Sequence, residues 1–176
     1  TQPDEWAGRV REAVSARAMQ SGAAPPIPAD ELVRVVDVRH RMVDSRPWLH
    51  ARLVAPTLTA GARSPLADAL AGEGLAVECP LVGPHQAINI QTAVAALMAT
   101  AGDNGGIGPA GVRLDPRRVR EGIRSVRWPG RFEVVSTEPI VVVDGAHCPL
   151  SAAALAATFR LVYGDRPVVL VSGFLR

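Results

Sequence analysis

The stretch Trp128–Pro149 reads WPGRFEVVSTEPIVVVDGAHCP and says more about the fold than any other part of the chain. Two strand-like runs, Phe132–Ser136 and Ile140–Asp144, flank a turn at Glu138-Pro139. The second run leads directly into a polar loop at residues 144–147. Polar side chains that follow a strand lie at the edge where open α/β sheets bind ligands. The pattern therefore predicts a ligand site at this loop.

Arg131 is the first candidate for binding at that site. It follows the turn Pro129-Gly130, which fixes the backbone before the first strand-like run. A guanidinium presents its N–H donors in a fixed fork that suits phosphate oxygens. The alternative, which the spacing alone favours, is a surface arginine that pairs with Glu133 or Glu121.

Asp144 and His147 are the next candidates. Asp144 ends an apolar strand, where its carboxylate can accept hydrogen bonds from ribose hydroxyls or help to organise a metal shell. The alternative is an aspartate that binds backbone amides of its own loop. His147 can donate to a phosphate or hold Asp144 in place, and a loop histidine without a role is the other possibility.

The residues after the loop predict a helix. Pro149 is suited to its first position, so the positive end of the helix would face a bound anion. Cys148 beside it is either a reactive thiol with a lowered pKa or a small inert residue, and the inert interpretation is favoured. The helix Ser151–Val162 is followed by an apolar strand at Pro167–Ser172, which together predict a βαβ unit with parallel strands.

The upstream part of the chain also alternates helices and strands, which indicates the α/β class. Residues 39–61 are ambiguous apart from strand character around 53–55. The predicted elements are a helix from Asp4 to about Gln20, a strand Leu32–Val38, a short helix after the cap pair Ser64-Pro65, a strand Leu75–Cys79, a helix from about His85 to Thr100, and a helix from Asp115-Pro116 to Val126.

The start of the long helix offers a second set of polar side chains: His85, Gln86 and Asn89. His85 and Asn89 are four residues apart and share one face. The amides of Asn and Gln present a donor and an acceptor together, as the edge of an adenine requires. Helix capping and solvent exposure are the alternative, and the spacing alone favours them.

Composition excludes several kinds of chemistry. The 176 residues are 48% hydrophobic and 20% charged, which is typical of a globular protein. All 19 basic residues other than histidine are arginines, so the sequence contains no P-loop lysine and no Schiff-base lysine. No apolar run approaches the length of a membrane span, and two cysteines indicate a reducing cytoplasm. Arginines crowd residues 113–131, but with a single aromatic among them the stretch does not favour nucleic acid.

The motifs together resemble the folylpolyglutamate synthase/dihydrofolate synthase family, within the wider Mur ligase group of ATP-dependent amide-bond ligases. The resemblance covers about residues 75–173, and residues 1–74 are only compatible with it. The matching strings are PLVGPHQAINIQTAVAAL at Pro80–Leu97, the helix Pro116–Val126, WPGRFEVV at Trp128–Val135 and VVVDGAHCP at Val141–Pro149.

The resemblance implies a domain division and roles for the candidate residues. Residues 1–126 would be the end of a Mur-ligase-type central ATPase domain, and residues 127–176 the start of a Rossmann-like C-terminal ligase domain. ATP would lie between the two. The resemblance assigns His85, Gln86 and Asn89 to the adenine side and Arg131 to the ATP phosphates. It assigns Asp144 and His147 to a motif that contacts the nucleotide, and it implies catalytic roles for Arg131 and His147.

The family's reaction uses ATP, a folate-type substrate, glutamate and Mg²⁺. The protein ligands of Mg²⁺ and the P-loop are expected outside this chain, in the remainder of a parent polypeptide or in a partner. The chain is therefore expected to be a fragment that is inactive alone. Cys148 stands where the family has an asparagine. Two alternatives remain: a non-catalytic nucleotide-binding module that docks on a P-loop partner, and a Mur-type ligase for a peptidoglycan precursor.

Overall fold

The computed structural model describes residues 3–23, 26–56, 64–101 and 114–173. The predicted loop at 102–111 and the last residues 174–176 lie outside the described residues. The elements in chain order are α1 Pro3–Gln20, α2 Ala29–Leu32, β1 Arg34–Val43, β2 Arg46–Val54, α3 Pro65–Ala71, β3 Leu75–Cys79, α4 Pro84–Ala101, α5 Pro116–Ser125, β4 Glu133–Thr137, β5 Ile140–Val143 and α6 Pro149–Tyr163.

Strands β1, β2 and β3 form an antiparallel sheet in that order. Asp44 and Ser45 both have positive φ, at 48° and 61°, and make the tight turn between β1 and β2. Along β2 every second side chain is buried, which gives the strand one face against the core and one towards solvent. The described part of the segment that the sequence left ambiguous, residues 39–56, thus makes up most of the hairpin of β1 and β2.

The main core lies between this sheet and helices α3, α4 and α5. Its largest fully buried side chains include Leu49 and Leu53 of β2, Leu66 and Leu70 of α3, and Val94 of α4. At about 25 cal/mol per Å² of apolar surface buried, each such side chain contributes about 2 kcal/mol before the entropy of ordering is subtracted. The core therefore holds α4 against the sheet.

Two predicted helix starts are confirmed. The Ser64 hydroxyl accepts the backbone N–H of Ala67 at 3.1 Å at the start of α3. The Asp115 carboxylate accepts the N–H groups of Arg117 and Arg118 at 2.8 and 3.4 Å at the start of α5. In both helices proline occupies the first position, as the sequence predicts.

Helix α5 presents its arginines to solvent, and several of them have local partners. Arg117 pairs with Glu121 at 2.9 Å, one helical turn further on. Arg120 donates to the Ala76 carbonyl oxygen of β3 at 3.0 Å. A solvated helix face is therefore the better interpretation of this basic stretch. Among the described residues no helix is both long enough and apolar enough to cross a membrane.

Strands β4 and β5 form an antiparallel hairpin, as the two runs around Glu138-Pro139 predict. Helix α6 packs on this hairpin through three aromatic rings. The ring of Tyr163 stacks on that of Phe132 with centroids 6.2 Å apart, and Phe159 lies 5.1 Å from Tyr163. Aromatic contacts at such distances stabilise by about 1 kcal/mol each beyond the area they bury. The hairpin, the loop after it and α6 thus form one packed unit.

The strand predicted at Pro167–Ser172, and with it the parallel βαβ unit, is wrong for this structure. Residues 165–173 belong to no sheet, and the side chains of Val169 and Val171 are 92% and 91% exposed. An apolar run forms a strand only when another strand pairs with it. Within the described residues β5 pairs with β4 alone. The pattern was apolar enough for a buried strand, but pairing depends on a neighbour that the pattern cannot identify.

The first strand is also shifted from its predicted range. Leu32 closes the short helix α2, and β1 runs from Arg34 to Val43 instead of 32–38. A β-branched run such as 33–38 marks a strand well but marks its ends poorly, because the hairpin with β2 sets how far the pairing continues.

Candidate functional site

Asp144 joins the two ends of the β4–β5 hairpin. Its Oδ2 accepts the backbone N–H of Phe132 at 2.8 Å, and its Oδ1 accepts the N–H of Ala146 at 2.8 Å. Beside it, the Gly145 N–H donates to the Gly130 carbonyl oxygen at 2.8 Å. Asp144 therefore binds a backbone amide of its own loop, as the second interpretation of the sequence predicts. It also binds a backbone amide at the end of the preceding turn, at Phe132. Unused lone pairs remain on both oxygens.

Arg131 lies against the loop that Asp144 holds. A Cβ built on Gly145 would come within 3.4 Å of Nη1 of Arg131, so the guanidinium touches the loop where glycine leaves room for it. Its Cζ also lies 5.9 Å from the ring centroid of Trp128, a cation–π contact. Of the two acidic residues proposed as its surface partners, Glu133 accepts the Gly130 N–H at 2.8 Å and Glu121 pairs with Arg117.

His147 is exposed at the tip of the same loop. Its Nδ1 lies 3.0 Å from the Gly145 carbonyl oxygen, which can only accept, so Nδ1 carries the proton in this contact. Nε2 is then left as a free acceptor in the neutral ring and as a second donor in the imidazolium. The loop therefore presents an imidazole in a fixed tautomer next to the Arg131 guanidinium.

The loop ends at the first turn of α6, which begins at Pro149 as predicted. Ser151 Oγ accepts the N–H groups of His147 and Cys148, each at 3.0 Å, and lies 3.2 Å from Cys148 Sγ. Hydrogen bonds from Ser151 are the main cause that lowers the pKa of the exposed Cys148 thiol, and the imidazole of His147 lowers it slightly further.

The polar residues at the start of α4 form a hydrogen-bonded row. Asn89 Nδ2 donates to Gln86 Oε1 at 2.9 Å, and Gln86 Nε2 lies 3.2 Å from His85 Nε2. Gln86 is only 5% exposed and both ends of its amide are engaged, so it orients its neighbours. Asn89 is exposed and keeps its Oδ1 for a ligand. The row thus has one buried member, Gln86, one half-buried member, His85, and one exposed member, Asn89.

His85 links this row to the loop. Burial lowers the pKa of its imidazole; the Asp144 carboxylate raises it, and the Arg131 guanidinium lowers it. Both charges therefore lie within electrostatic range of the ring. Its Nδ1 is buried without a hydrogen-bond partner among the described residues. Arg131, Asp144 and His147 thus meet at one loop, His85 lies within electrostatic range of the two charges there, and Asn89 lies one turn further along α4.

Two residues near the site were missed from the sequence. His40 accepts the backbone N–H of Gly83 through Nε2 at 3.1 Å. Thr158 of α6 is fully buried, and a Cβ on Gly83 would approach its Oγ1 to 2.5 Å. In the sequence only the pair Gly83-Pro84, which breaks the strand before α4, marks this position. His40 and Thr158 could not be connected with it because they lie far away along the chain.

Clusters of metal-binding side chains are absent from the described residues. No group of three or more His, Cys, Asp or Glu side chains lies close enough together there to hold a metal ion. Asp144 uses one lone pair of each carboxylate oxygen for a backbone amide, so its own loop takes up part of its binding capacity.

Comparison with known proteins shows which fold the chain shares and which proteins about half of its sequence resembles. No family model matches the chain. The fold belongs to the α/β class and is that of Mur-type ligases: it matches a structure of Mycobacterium tuberculosis folylpolyglutamate synthase complexed with ADP at 27% identity and a TM-score of 0.57, over 85% of this chain and 27% of that one. The matched half of the chain is homologous to the folylpolyglutamate synthase/dihydrofolate synthase family, so the predicted resemblance is confirmed.

Two curated relatives show the extent of the match. A probable bifunctional folylpolyglutamate synthase/dihydropteroate synthase of Halobacterium salinarum is 43% identical over 92 residues, which is 52% of this chain and 10% of that protein. The dihydrofolate synthase/folylpolyglutamate synthase of Mycobacterium tuberculosis is 38% identical over 96 residues, or 54% of this chain and 19% of that protein. The chain thus matches these relatives over a tenth to a fifth of their length.

Proposed function

We propose that this chain contributes one side of the nucleotide site of an ATP-dependent ligase that joins glutamate to a folate-type substrate. The observation that carries the proposal is the position of Arg131 against the loop 144–147, at the start of α6 and within electrostatic range of His85. The proposed division is an ATPase-domain part at 1–126 and a C-terminal ligase part at 127–176. A cytoplasmic location is part of the same proposal.

The proposed reaction has two steps. A carboxylate oxygen of the substrate attacks the γ-phosphorus of ATP, the bond to the ADP oxygen breaks, and an acyl phosphate forms. The amine of glutamate then attacks the acyl carbon, phosphate leaves with the bonding electron pair, and the amine loses a proton. Negative charge develops on the transferring oxygens in the first step, so a fixed donor aimed at them contributes on the order of 3 kcal/mol.

The proposed roles follow from the contacts of each residue. Arg131 neutralises phosphate oxygens, and the first turn of α6 adds backbone N–H groups for the same charge. His147 donates from Nε2 when it is protonated. Asp144 holds the loop in place, and its free lone pairs can accept from a ribose hydroxyl. Asn89 offers its Oδ1 towards the base.

The chain's composition limits what it supplies. Without any lysine it has no P-loop of the G-x-x-x-x-G-K-[ST] kind, so the main phosphate-binding loop and the Mg²⁺ ligands would come from the rest of a parent polypeptide or from a partner. We therefore expect no ATP turnover by the 176 residues alone. A non-catalytic nucleotide-binding module is the second candidate, and the same missing lysine supports it. The folate-ligase relatives favour the first candidate over a peptidoglycan-precursor ligase.

Nucleotide binding by this chain tests the central claim. Heteronuclear NMR titration with ADP and with the ATP analogue AMPPCP should shift the amides of residues 144–152 and of the start of α4. Arg131→Ala should weaken binding by roughly tenfold or more, as expected when one charge-assisted contact is lost. Arg127→Ala is the matched control, because Arg127 is exposed and donates to the Val126 carbonyl oxygen instead. Equal affinities in the wild type and Arg131→Ala would remove Arg131 from the site.

A turnover assay separates the two candidates. Robust ligation or ATP hydrolysis by the isolated chain, with a folate, glutamate and magnesium, would contradict the requirement for a separate phosphate-binding loop. If nucleotide binds and no turnover occurs, adding a P-loop-bearing domain of the same family distinguishes a ligase part, which gains activity, from a module that does not.

A further inference from the structure

Gly83 is the point at which three elements of the fold meet. Its N–H donates to Nε2 of His40 in β1 at 3.1 Å, and its carbonyl oxygen accepts the N–H of Gln86 in α4 at 3.0 Å. A Cβ in its place would lie 2.5 Å from Oγ1 of Thr158 in α6. The sheet, the helix with the polar row and the helix after the loop therefore all contact one residue.

The conformation of Gly83 needs these contacts. Its φ of 111° lies in a region that L side chains rarely adopt but that glycine enters freely. Glycine also leaves this region freely, so local sterics do not hold the backbone there. Pro84 follows and has no N–H of its own. The bond to His40 is then the contact that fixes the direction in which the chain enters α4.

We propose that His40 is a positioning residue whose neutral imidazole fixes Gly83 and thereby sets the placement of His85, Gln86 and Asn89 relative to α6 and the loop before it. The consequence for ligand binding rests on the proposed function. The claim about Gly83 itself does not, because it concerns a hydrogen bond inside the chain.

The chemistry of the contact defines the protonation state. An imidazole nitrogen that accepts a backbone N–H has no proton, so His40 carries its proton on Nδ1. Protonation of Nε2 would place its N–H opposite the Gly83 N–H, and the hydrogen bond would be lost because both groups are donors. Burial lowers the pKa of His40, and the neighbouring His50 lowers it further, which keeps the ring neutral near pH 7.

The charged and titratable groups around His40 are few. On β2 the neighbour is His50, which lies 3.6 Å from Glu78 of β3, and Glu78 in turn lies 3.7 Å from Arg124. Helix α4 carries one titratable side chain, His85, while α6 carries Arg160 and Tyr163, and Arg39 and Arg41 flank His40 on its own strand. No carboxylate on α4 or α6 would stabilise a protonated His40.

The test is the hydrogen exchange of the Gly83 amide measured by NMR in the 176-residue chain. In His40→Leu, which has no acceptor, exchange of this amide should become roughly fivefold to tenfold faster than in the wild type. In His40→Gln, whose Oε1 can take the place of Nε2, protection should return to within about twofold. His50→Leu is the matched control and should leave the Gly83 amide unchanged. Wild-type exchange in His40→Leu would overturn the proposal.

A second measurement keeps the proposal testable if His40→Leu fails to fold. In the wild type the Gly83 amide proton shift should follow the titration of the His40 ring as the pH is lowered, and a flat Gly83 signal through that titration would overturn the proposal. The same samples titrated with ADP report the proposed function separately. Failure of ADP binding with an intact Gly83 result would remove the nucleotide claim and leave the positioning claim standing.

Discussion

The Asp144 carboxylate accepts the backbone N–H of Phe132 at 2.8 Å, twelve residues earlier in the chain. Phe132 has a positive φ of 46°, which is costly for a bulky side chain, and its ring packs among the aromatic rings that anchor α6. One carboxylate thus holds a strained backbone, the loop before α6 and the position of the neighbouring Arg131.

Replacement of Asp144 should destabilise the fold as well as the site. In Asp144→Ala two backbone N–H groups lose a charged acceptor, and we expect a loss of about 2 kcal/mol in the free energy of unfolding, with a smaller loss in Asp144→Asn. Urea unfolding measures both. Asp165→Ala, at an exposed position, should change stability by less than about 0.5 kcal/mol. If Asp144→Ala were as stable as this control, the carboxylate would not hold the turn.

Gly83 should tolerate no side chain. Gly83→Ala places a Cβ 2.5 Å from Oγ1 of Thr158 and 2.7 Å from Cε1 of His85, at a φ that alanine rarely adopts. We expect a loss of about 2 kcal/mol or more in the free energy of unfolding. The matched control is Gly122→Ala in α5, where nothing lies within 4 Å of the added Cβ and the helix should gain up to about 1 kcal/mol. Thermal and urea unfolding should therefore show changes of opposite sign in the free energy of unfolding for the two substitutions.

Acid should destabilise the protein through two half-buried imidazoles, those of His40 and His85. Burial lowers the pKa of His40 and of His85 in the folded state below the unfolded value of about 6.5. Between the folded and unfolded pKa values the unfolded chain binds more protons, so the free energy of unfolding rises with pH in that window. The stability that the neutral rings contribute is present above about pH 6.5 and is lost as the pH falls towards the folded pKa values.

Urea unfolding of the wild type at pH 5.5, 6.5 and 7.5 measures this dependence. The double variant His40→Gln, His85→Gln has neither ring and should show a flatter dependence over the same range. A wild-type slope of zero, or an unchanged slope in the double variant, would show that these imidazoles do not take up protons on unfolding.

Local patterns predicted the helices and the hairpin well because their causes are local. The cap pairs Ser64-Pro65 and Asp115-Pro116 satisfy backbone groups within one turn, and the runs on either side of Glu138-Pro139 pair with each other across a short turn. The strand at 167–172 was wrong because its formation depends on pairing with a distant segment. The same distinction separates the site residues that could be predicted from those that could not.

At the site, the motif strings located Arg131, Asp144, His147 and the row on α4, but not the contacts that organise them. Two interpretations of Asp144 were open from the sequence, and only coordinates show that its oxygens reach Phe132 and Ala146. His40 had no recognisable motif, since its partner Gly83 lies 43 residues further on. The functional roles of these residues stay predictions until binding is measured.

Cys148 should react with thiol reagents far faster than Cys79. The Cys148 thiol is exposed, and hydrogen bonds from Ser151 lower its pKa, whereas Cys79 is 1% exposed and burial raises its pKa. Because the thiolate is the nucleophile, iodoacetamide at pH 7 should modify Cys148 at least about tenfold faster than Cys79 in the folded protein.

Ser151→Ala should raise the pKa of Cys148 and slow its modification, while Ser125→Ala, in a different helix, should not. Mass spectrometry of tryptic peptides gives both rates. Comparable rates at the two cysteines in folded protein would contradict the predicted effect of exposure and of the lowered pKa of Cys148.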